Sequence, residues 1–447
     1  MKHNLLLLSD SYKYSHFKQY PKGTKKIFSY LEARGGDSKD IVFFGLQYFI
    51  KEYINNPFTQ KDIQEAKQLA EFHGVPFNEE GWNYILNKHG GFLPVKIDAV
   101  PEGSVNKVGD VLMTIVNTDD NCPWVTNWVE TLLMKVWYPT TVATKAYNVR
   151  KIIEKHYANS SDNLAGVDFA YHNFGDRGSS SVEAAMLGGM AHLTSFSGTD
   201  NFNAVMGCSK YYAERKGWSI PASEHSTVTS WGKDYEYFMI DSYLENHKGA
   251  PIIACVMDSY DIYKAVEHVT TGSMKERIES AEYPVFVIRP DSGNPIDVIG
   301  NILGIMRKNE VAYTTNSKGF KVFNKYRIIW GDGITPANID AILNYVEQQG
   351  YAADNMAFGS GGDLMQNLNR DTHKFAIKCS AALVGNEWRD VYKEPITDKG
   401  KSSKRGILTS DKLQTVYDKY PVVTFTLSEV TNNIRGISNE KKEAVNG

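Results

Sequence analysis

Apolar positions along the chain follow two rhythms. Up to about residue 160 they do not alternate regularly between strand and helix periods. Residues 27–34 read as a strand, and residues 44–53 and 61–72 as helices, the second with a stripe of Ile63, Ala66, Leu69 and Ala70 at helical spacing. Residues 94–100 and 111–116 read as strands separated by turns at Gly103 and Gly109, and 124–136 and 143–156 as long, mostly buried helices. From about residue 165 short apolar runs alternate with helical stretches. Strands are predicted at 167–174, 194–197, 219–222, 252–257, 285–288, 327–330, 355–358 and 375–379. Helices are predicted at 179–193, 201–212, 228–246, 261–269, 295–307 and after Thr335-Pro336. Roughly eight such units predict an α/β fold: an irregular parallel (β/α) barrel, with an open doubly wound sheet as the alternative. The expected division is a barrel over residues 161–384 and an α+β lobe built from residues 1–160 and the tail, 385–447.

Composition narrows the class. A chain of 447 residues with 42% hydrophobic and 23% charged residues is that of a soluble globular protein, and a formal net charge of −3 argues against a general nucleic-acid binder. Cys122, Cys208, Cys255 and Cys379 are scattered, which suits reduced thiols and neither a disulfide framework nor a zinc site. The apolar run at residues 5–8 is too short for a signal-peptide core, and no run approaches membrane-spanning length. A cytoplasmic protein with no nucleic-acid or membrane partner is expected.

The chemistry gathers at strand ends. Val285-Phe286-Val287-Ile288 is apolar on both faces, as a fully buried strand is, and it stops at Arg289-Pro290-Asp291. Ser292-Gly293 then turns, and Asn294-Pro295 supplies an N-cap and a first helical residue. An Arg–Asp pair closing a loop is common, and alone it says little. The neighbouring strands, however, end in the same manner: Phe174-Gly175-Asp176-Arg177, Ser197-Gly198-Thr199-Asp200, Ser223-Glu224-His225, Asp258-Ser259, Gly331-Asp332-Gly333 and Gly359-Ser360-Gly361-Gly362. A barrel brings all its strand C-termini to one rim, and that rim is where such folds bind ligands. Gly361-Gly362 near a helix start could offer N–H groups to a phosphate. There is no Walker A loop, and carboxylates beside arginines and glycine turns suit a polyphosphate bound with Mg²⁺. In the tail, Arg370, Lys378, Lys393 and Lys401 could grip phosphates, whereas a solvated loop is the plainer account of Lys404 and Arg405.

These motifs closely resemble the nicotinamide phosphoribosyltransferase family. The matching stretches run from Asp10-Ser11-Tyr12-Lys13, Phe44-Gly45-Leu46-Gln47-Tyr48, Gly81-Trp82-Asn83-Tyr84 and Trp137-Tyr138-Pro139 through Glu224-His225-Ser226-Thr227 and Asp258-Ser259-Tyr260-Asp261 to the strand ends above. The resemblance implies transfer of phosphoribosyl from phosphoribosyl pyrophosphate to nicotinamide, with Mg²⁺, driven by ATP through a phosphohistidine, in a homodimer with shared sites. It implies that Phe174 and Tyr12 of the partner subunit sandwich the pyridine ring, with Asp200 and Arg289 near its amide. It makes His225 the phosphorylated residue, oriented by Asp258, and Arg34, Arg177, Arg370, Lys378, Lys393 and Lys401 the phosphate grips. The remaining assignments are Asp291 and Asp332 for the metal, Asp291 also serving catalysis, and Arg289, Gly331, Asp332, Gly361 and Gly362 for the phosphoribosyl group. Asp176 replaces the family's vertebrate tyrosine, and Asp363 its third glycine. An enzyme of the same fold acting on nicotinate or quinolinate and a catalytically silent phosphosugar-binding or signalling protein are the competing expectations; the second is disfavoured because His225, Arg289, Asp291 and Asp332 are all present. Residues 115–120, apolar then two acids, faintly resemble another phosphoribosyltransferase signature but lack its small-residue loop, and read as a surface turn.

Overall fold

The computed structural model describes residues 3–397 and 402–436. They form two compact units. One takes the chain up to Thr144, Gly207–Glu214 and everything from Leu368; the other takes Lys145–Met206 and Arg215–Asn367.

The first unit is built on a seven-stranded sheet in which every pairing is antiparallel. From edge to edge it runs Glu387–Asp390, Ala376–Val384, Thr24–Glu32, Val111–Asn117, Val95–Ala99, Gln414–Asp418 and Tyr420–Pro421. Thr24–Glu32 lies mid-sheet, and its last six residues are buried. Residues 375–379, expected to finish the barrel, instead begin the antiparallel neighbour of this strand, with Tyr30 opposite Lys378. A short apolar run carries no mark of parallel or antiparallel pairing, which is why the sequence misplaced it. The Gln60–His73 helix starts at a capping box between Thr59 and Asp62 and buries Ile63, Ala66 and Ala70; Leu69, counted with that stripe, is 46% exposed.

The second unit is a ring. Five parallel strands lie side by side in the order Tyr171–Asn173, Met356–Ser360, Tyr326–Trp330, Val285–Arg289 and Ile252–Val256. Single bridges carry the ring round through residues 198–199 and 218–222: Asn173 to Thr199, Gly198 to Trp218 and Ala222 to Ala254. The irregular barrel is therefore present with seven segments rather than eight, two of them too short to count as strands. The shortening has local causes. Thr194 and Ser195 are still bonded into the end of the Val182–Leu193 helix, and Pro221 has no N–H to give a ladder. Likewise the predicted strand at 167–174 begins as a 3₁₀ turn, Ala165–Phe169, and the helix predicted at 228–246 is two, His225–Thr229 and Glu236–Asn246.

Side chains alternate across each strand. Ala254, Val287 and Ile329 pack together with Ile220, Ile252, Ala357 and Phe174, filling the ring from successive segments. Phe174 is the uppermost of these, at the C-terminal end of its strand. The core thus ends at the rim on an aromatic ring.

Candidate active site

Phe174 is seated by the strand beside it. Its N–H donates to the Ser360 carbonyl, and a Cβ placed on Gly359 would stand 1.9 Å from its Cε2, so only glycine lets the ring lie there. The guanidinium of Arg289 lies over the ring, 5.3 Å from its centroid. Arg289 also reaches Asp291, Nη2 to Oδ1 at 3.6 Å, while its buried Nε has no hydrogen-bond partner among the described residues. An aromatic face, a cation and an unused buried donor therefore share one edge of the rim. Such a donor calls for a ligand acceptor.

Three strand ends are tied together by one carboxylate. Asp258 follows the Ile252–Val256 strand, and its side chain is only 5% exposed. Oδ1 lies 2.9 Å from Nε2 of His225, and Oδ2 accepts from the Asp291 N–H at 3.1 Å and from the Ser292 hydroxyl. His225 opens its own helix, with Glu224 as N-cap in a reciprocal arrangement with Thr227, and its side chain is 47% exposed. Asp258 holds one imidazole nitrogen, leaving Nδ1 as the ring nitrogen available for chemistry. By sequence Ser292 reads only as a turn residue; no periodicity signals a hydroxyl that braces a carboxylate across two strands.

Asp200 stands at the end of the segment that continues the ring past Asn173. An Asp before a helix is commonly its cap, but here Asn201 caps, its Oδ1 accepting from the Ala204 N–H at 3.0 Å. Asp200 instead accepts from the Ser219 hydroxyl at Oδ1, and the residue is exposed. Beneath, the backbone at Gly198 lies against the ring of His172, a residue that sequence reasoning passed over. Burial lowers the pKa of His172, against a raising effect from Asp200, so the imidazole is neutral at pH 7.

Asp291 and Asp332 end neighbouring strands. Asp291 Oδ1 is 3.2 Å from where a Cβ on Gly331 would stand, and Asp332 is exposed beside it in sequence. Among the described residues no group of three His, Cys, Asp or Glu side chains could hold a metal by itself. Two carboxylates do suit a Mg²⁺ that takes its other ligands from a polyphosphate and water. Arg177 is exposed at the same rim, and Asp176 accepts from Asn203 Nδ2 at 3.1 and 3.2 Å. Gly361 and Gly362 open the short Gly362–Met365 turn. Asp363 is not a free negative charge there: Lys145 Nζ lies 3.0 Å from its Oδ2 and 2.6 Å from its carbonyl oxygen.

The first unit carries the other expected grips. Lys378 has its pKa lowered, mainly by burial and then by the positive charges of Arg34 and Lys393. The Glu32 carboxylate acts in the opposite direction without cancelling them. Arg34 donates to the Lys374 carbonyl, and Arg370 is more than half exposed beside Asp371. Lys404, read as solvated, is paired with the buried carboxylate of Glu32, and Arg405 lies over the Tyr392 ring. Tyr12 is 60% exposed. Lys401 lies outside the described residues.

Residues 169–422 of the chain match the nicotinate phosphoribosyltransferase (NAPRTase) family, and residues 4–97 the N-terminal domain of nicotinamide phosphoribosyltransferase. The chain belongs to the NAPRTase family. Its relatives include a nicotinamide phosphoribosyltransferase of Xanthomonas campestris pv. campestris, 49% identical over 91% of this chain and 87% of that one. Another, from Mycoplasma pneumoniae, is 31% identical over 92% of this chain and 97% of its own length. In fold the chain is similar to the nicotinate-nucleotide pyrophosphorylase of Pyrococcus furiosus, with a TM-score of 0.57 at 13% identity, covering 99% and 97% of the two chains. Human nicotinic acid phosphoribosyltransferase gives 0.56, also at 13%, covering 96% and 93%. This family membership makes the chain an enzyme of the phosphoribosyltransferase class, and the rim of the barrel is its candidate active site.

Proposed function

We propose that the enzyme transfers phosphoribosyl from phosphoribosyl pyrophosphate to nicotinamide in NAD salvage, and that ATP drives the reaction through a phosphohistidine at His225. The observation that carries this reading is the Asp258 carboxylate, which joins His225 to the Asp291-Ser292 turn beside Arg289 and Phe174. A phosphorylatable histidine and a place for a flat ring are thereby coupled through one buried group.

The pyridine nitrogen of nicotinamide already has a lone pair, so the transfer needs no general base. As its bond to C1′ forms, the C1′–O bond to diphosphate breaks, and the electron pair leaves with diphosphate. The ring lies on Phe174, its amide oxygen accepts from Arg289 Nε, and its –NH₂ donates to Asp200. Bound Mg²⁺, held by Asp291 and Asp332 together with the diphosphate, would supply charge to the leaving group. In the ATP half-reaction Nδ1 of His225 forms the bond to the γ-phosphorus while the bond to the ADP oxygen breaks. The proton on Nε2 stays with its Asp258 contact, which stabilises the charged ring. The basic cluster of Arg34, Lys378 and Lys393, with Arg370 and Lys401, is proposed to hold phosphates. We propose a cytoplasmic homodimer in which Tyr12 of the partner subunit closes the second face of the pyridine ring; the free thiols of all four cysteines suit that compartment.

Pyrophosphate release measured in parallel with nicotinamide, nicotinate and quinolinate, each with and without ATP, tests the reading. Nicotinamide should be used best and ATP should raise its turnover. Preference for nicotinate would replace this reading with the nicotinate-specific one.

A further inference from the structure

A second hollow lies at the other end of the barrel, where strands begin and helices finish. It is about 420 Å³ and is built entirely within the second unit. The hairpin of Tyr313–Thr315 and Lys321–Phe323 pairs Tyr313 with Phe323 and Thr315 with Lys321. By alternation Tyr313, Lys321 and Phe323 share a face, and a bridge from Lys321 to Tyr351 adds a third ring. Phe323 and Tyr351 are stacked, centroids 5.0 Å apart, and are 1% and 2% exposed. Tyr313, by contrast, is 46% exposed. The end of the Pro295–Lys308 helix completes the wall with Met306, Arg307 and Glu310, and Lys275 fixes that turn by bonding the carbonyls of Asn309 and Glu310.

Its charged side chains are not paired with one another among the described residues. The Lys321 ammonium sits between two rings, 4.7 Å from the Tyr313 centroid and 5.9 Å from that of Tyr351, and among the described residues it forms no ion pair. Arg307 and Glu310 form none either. Two cations and one carboxylate around an aromatic wall ask for a ligand with a flat ring, one anionic group and an amino donor. The volume falls in the ordinary range for small-molecule sites, roughly 300–1,000 Å³, and a single pyridine ring would leave most of it empty.

We propose that this hollow is a second ligand site, for an aminopurine nucleoside monophosphate. Its base lies against Tyr313, its exocyclic amine donates to Glu310, and its phosphate is held by Arg307 and Lys321. The site does not depend on the reaction proposed above, since none of its residues belongs to the rim.

Calorimetric titration of the full chain with adenosine monophosphate tests it, alongside Lys321→Met and Arg307→Gln variants and inorganic phosphate as a ligand without a ring. Both variants should keep the wild-type melting temperature and bind at least tenfold more weakly, and inorganic phosphate should bind much more weakly than the nucleotide. Photolabelling with 8-azidoadenosine monophosphate, mapped by peptide, should mark the segment holding Tyr313 or Tyr351. Absence of binding at millimolar nucleotide, affinity within threefold of wild type in both variants, labelling only at the barrel's polar rim, or equal binding of inorganic phosphate would each overturn the proposal.

Discussion

His225 and Asp200 show how single residues can be tested apart from the fold. His225→Ala removes a half-exposed side chain that reaches Asp258, so the barrel should stay intact. The variant should retain basal nucleotide synthesis, lose its stimulation by ATP and incorporate no acid-labile phosphate from γ-labelled ATP; label still entering the chain would show that another residue is phosphorylated. Asp200→Ser addresses substrate choice. A carboxylate accepts hydrogen bonds from the –NH₂ of nicotinamide but repels the carboxylate of nicotinate. Because Asn201 and not Asp200 caps the next helix, the substitution leaves the cap alone. The ratio of the two specificity constants should fall tenfold or more, about 1.4 kcal/mol; a change within about threefold, under 1 kcal/mol, would remove Asp200 as the selector. At this scale the rim residues were legible because chemistry-bearing types recur at successive strand ends. Ser292, Lys145 and His172 were not, since each acts through a neighbour distant in sequence that no local pattern names.

Elements were legible where hydrophobic period and capping agreed, as in the Pro295–Lys308 helix, whose Asn294 side chain accepts from two N–H groups as its N-cap expects. They were less so where tertiary bonds replace local ones. The turn within residues 115–120, a stretch that reads as a surface turn, holds a carboxylate only 8% exposed, that of Asp119. Asp119 accepts from the Asn121 N–H, Tyr84, His89 and Lys88, and so ties the turn to the Glu79–His89 helix. Burial pushes its pKa up, but these donors outweigh burial and hold it below the ordinary carboxylate range. A folded pKa below the unfolded one adds stability above the unfolded value, about 4, and that stability is lost as pH falls from there through the folded value. Asp119→Asn should therefore cost about 2 kcal/mol at pH 7, and the gap to wild type should shrink steadily in denaturant titrations below pH 4. A gap unchanged between pH 7 and pH 3 would mean that packing, not charge, explains the loss.

For the whole molecule, the two-rhythm pattern of apolar positions anticipated an irregular barrel and a second, mixed unit, yet it could not say which strand joins which sheet. Pairing depends on partners hundreds of residues away, as between Tyr30 and Lys378. Assembly is a longer reach still, and the proposed sharing of sites in a homodimer can be tested by complementation. Tyr12 is exposed in the first unit, whereas Asp291 ends a barrel strand. Chains carrying Tyr12→Ala and chains carrying Asp291→Ala should each be nearly inactive alone. If each site takes Tyr12 from the partner subunit, a heterodimer of the two has one site with both defects and one with neither. Random pairing of equal amounts makes half the dimers heterodimers, so about a quarter of wild-type activity should return. If Tyr12 serves its own chain, every site in the heterodimer carries one defect and mixing restores nothing. Flat inactivity in a heterodimer verified by mass would thus rule out sharing, whatever the chemistry at His225.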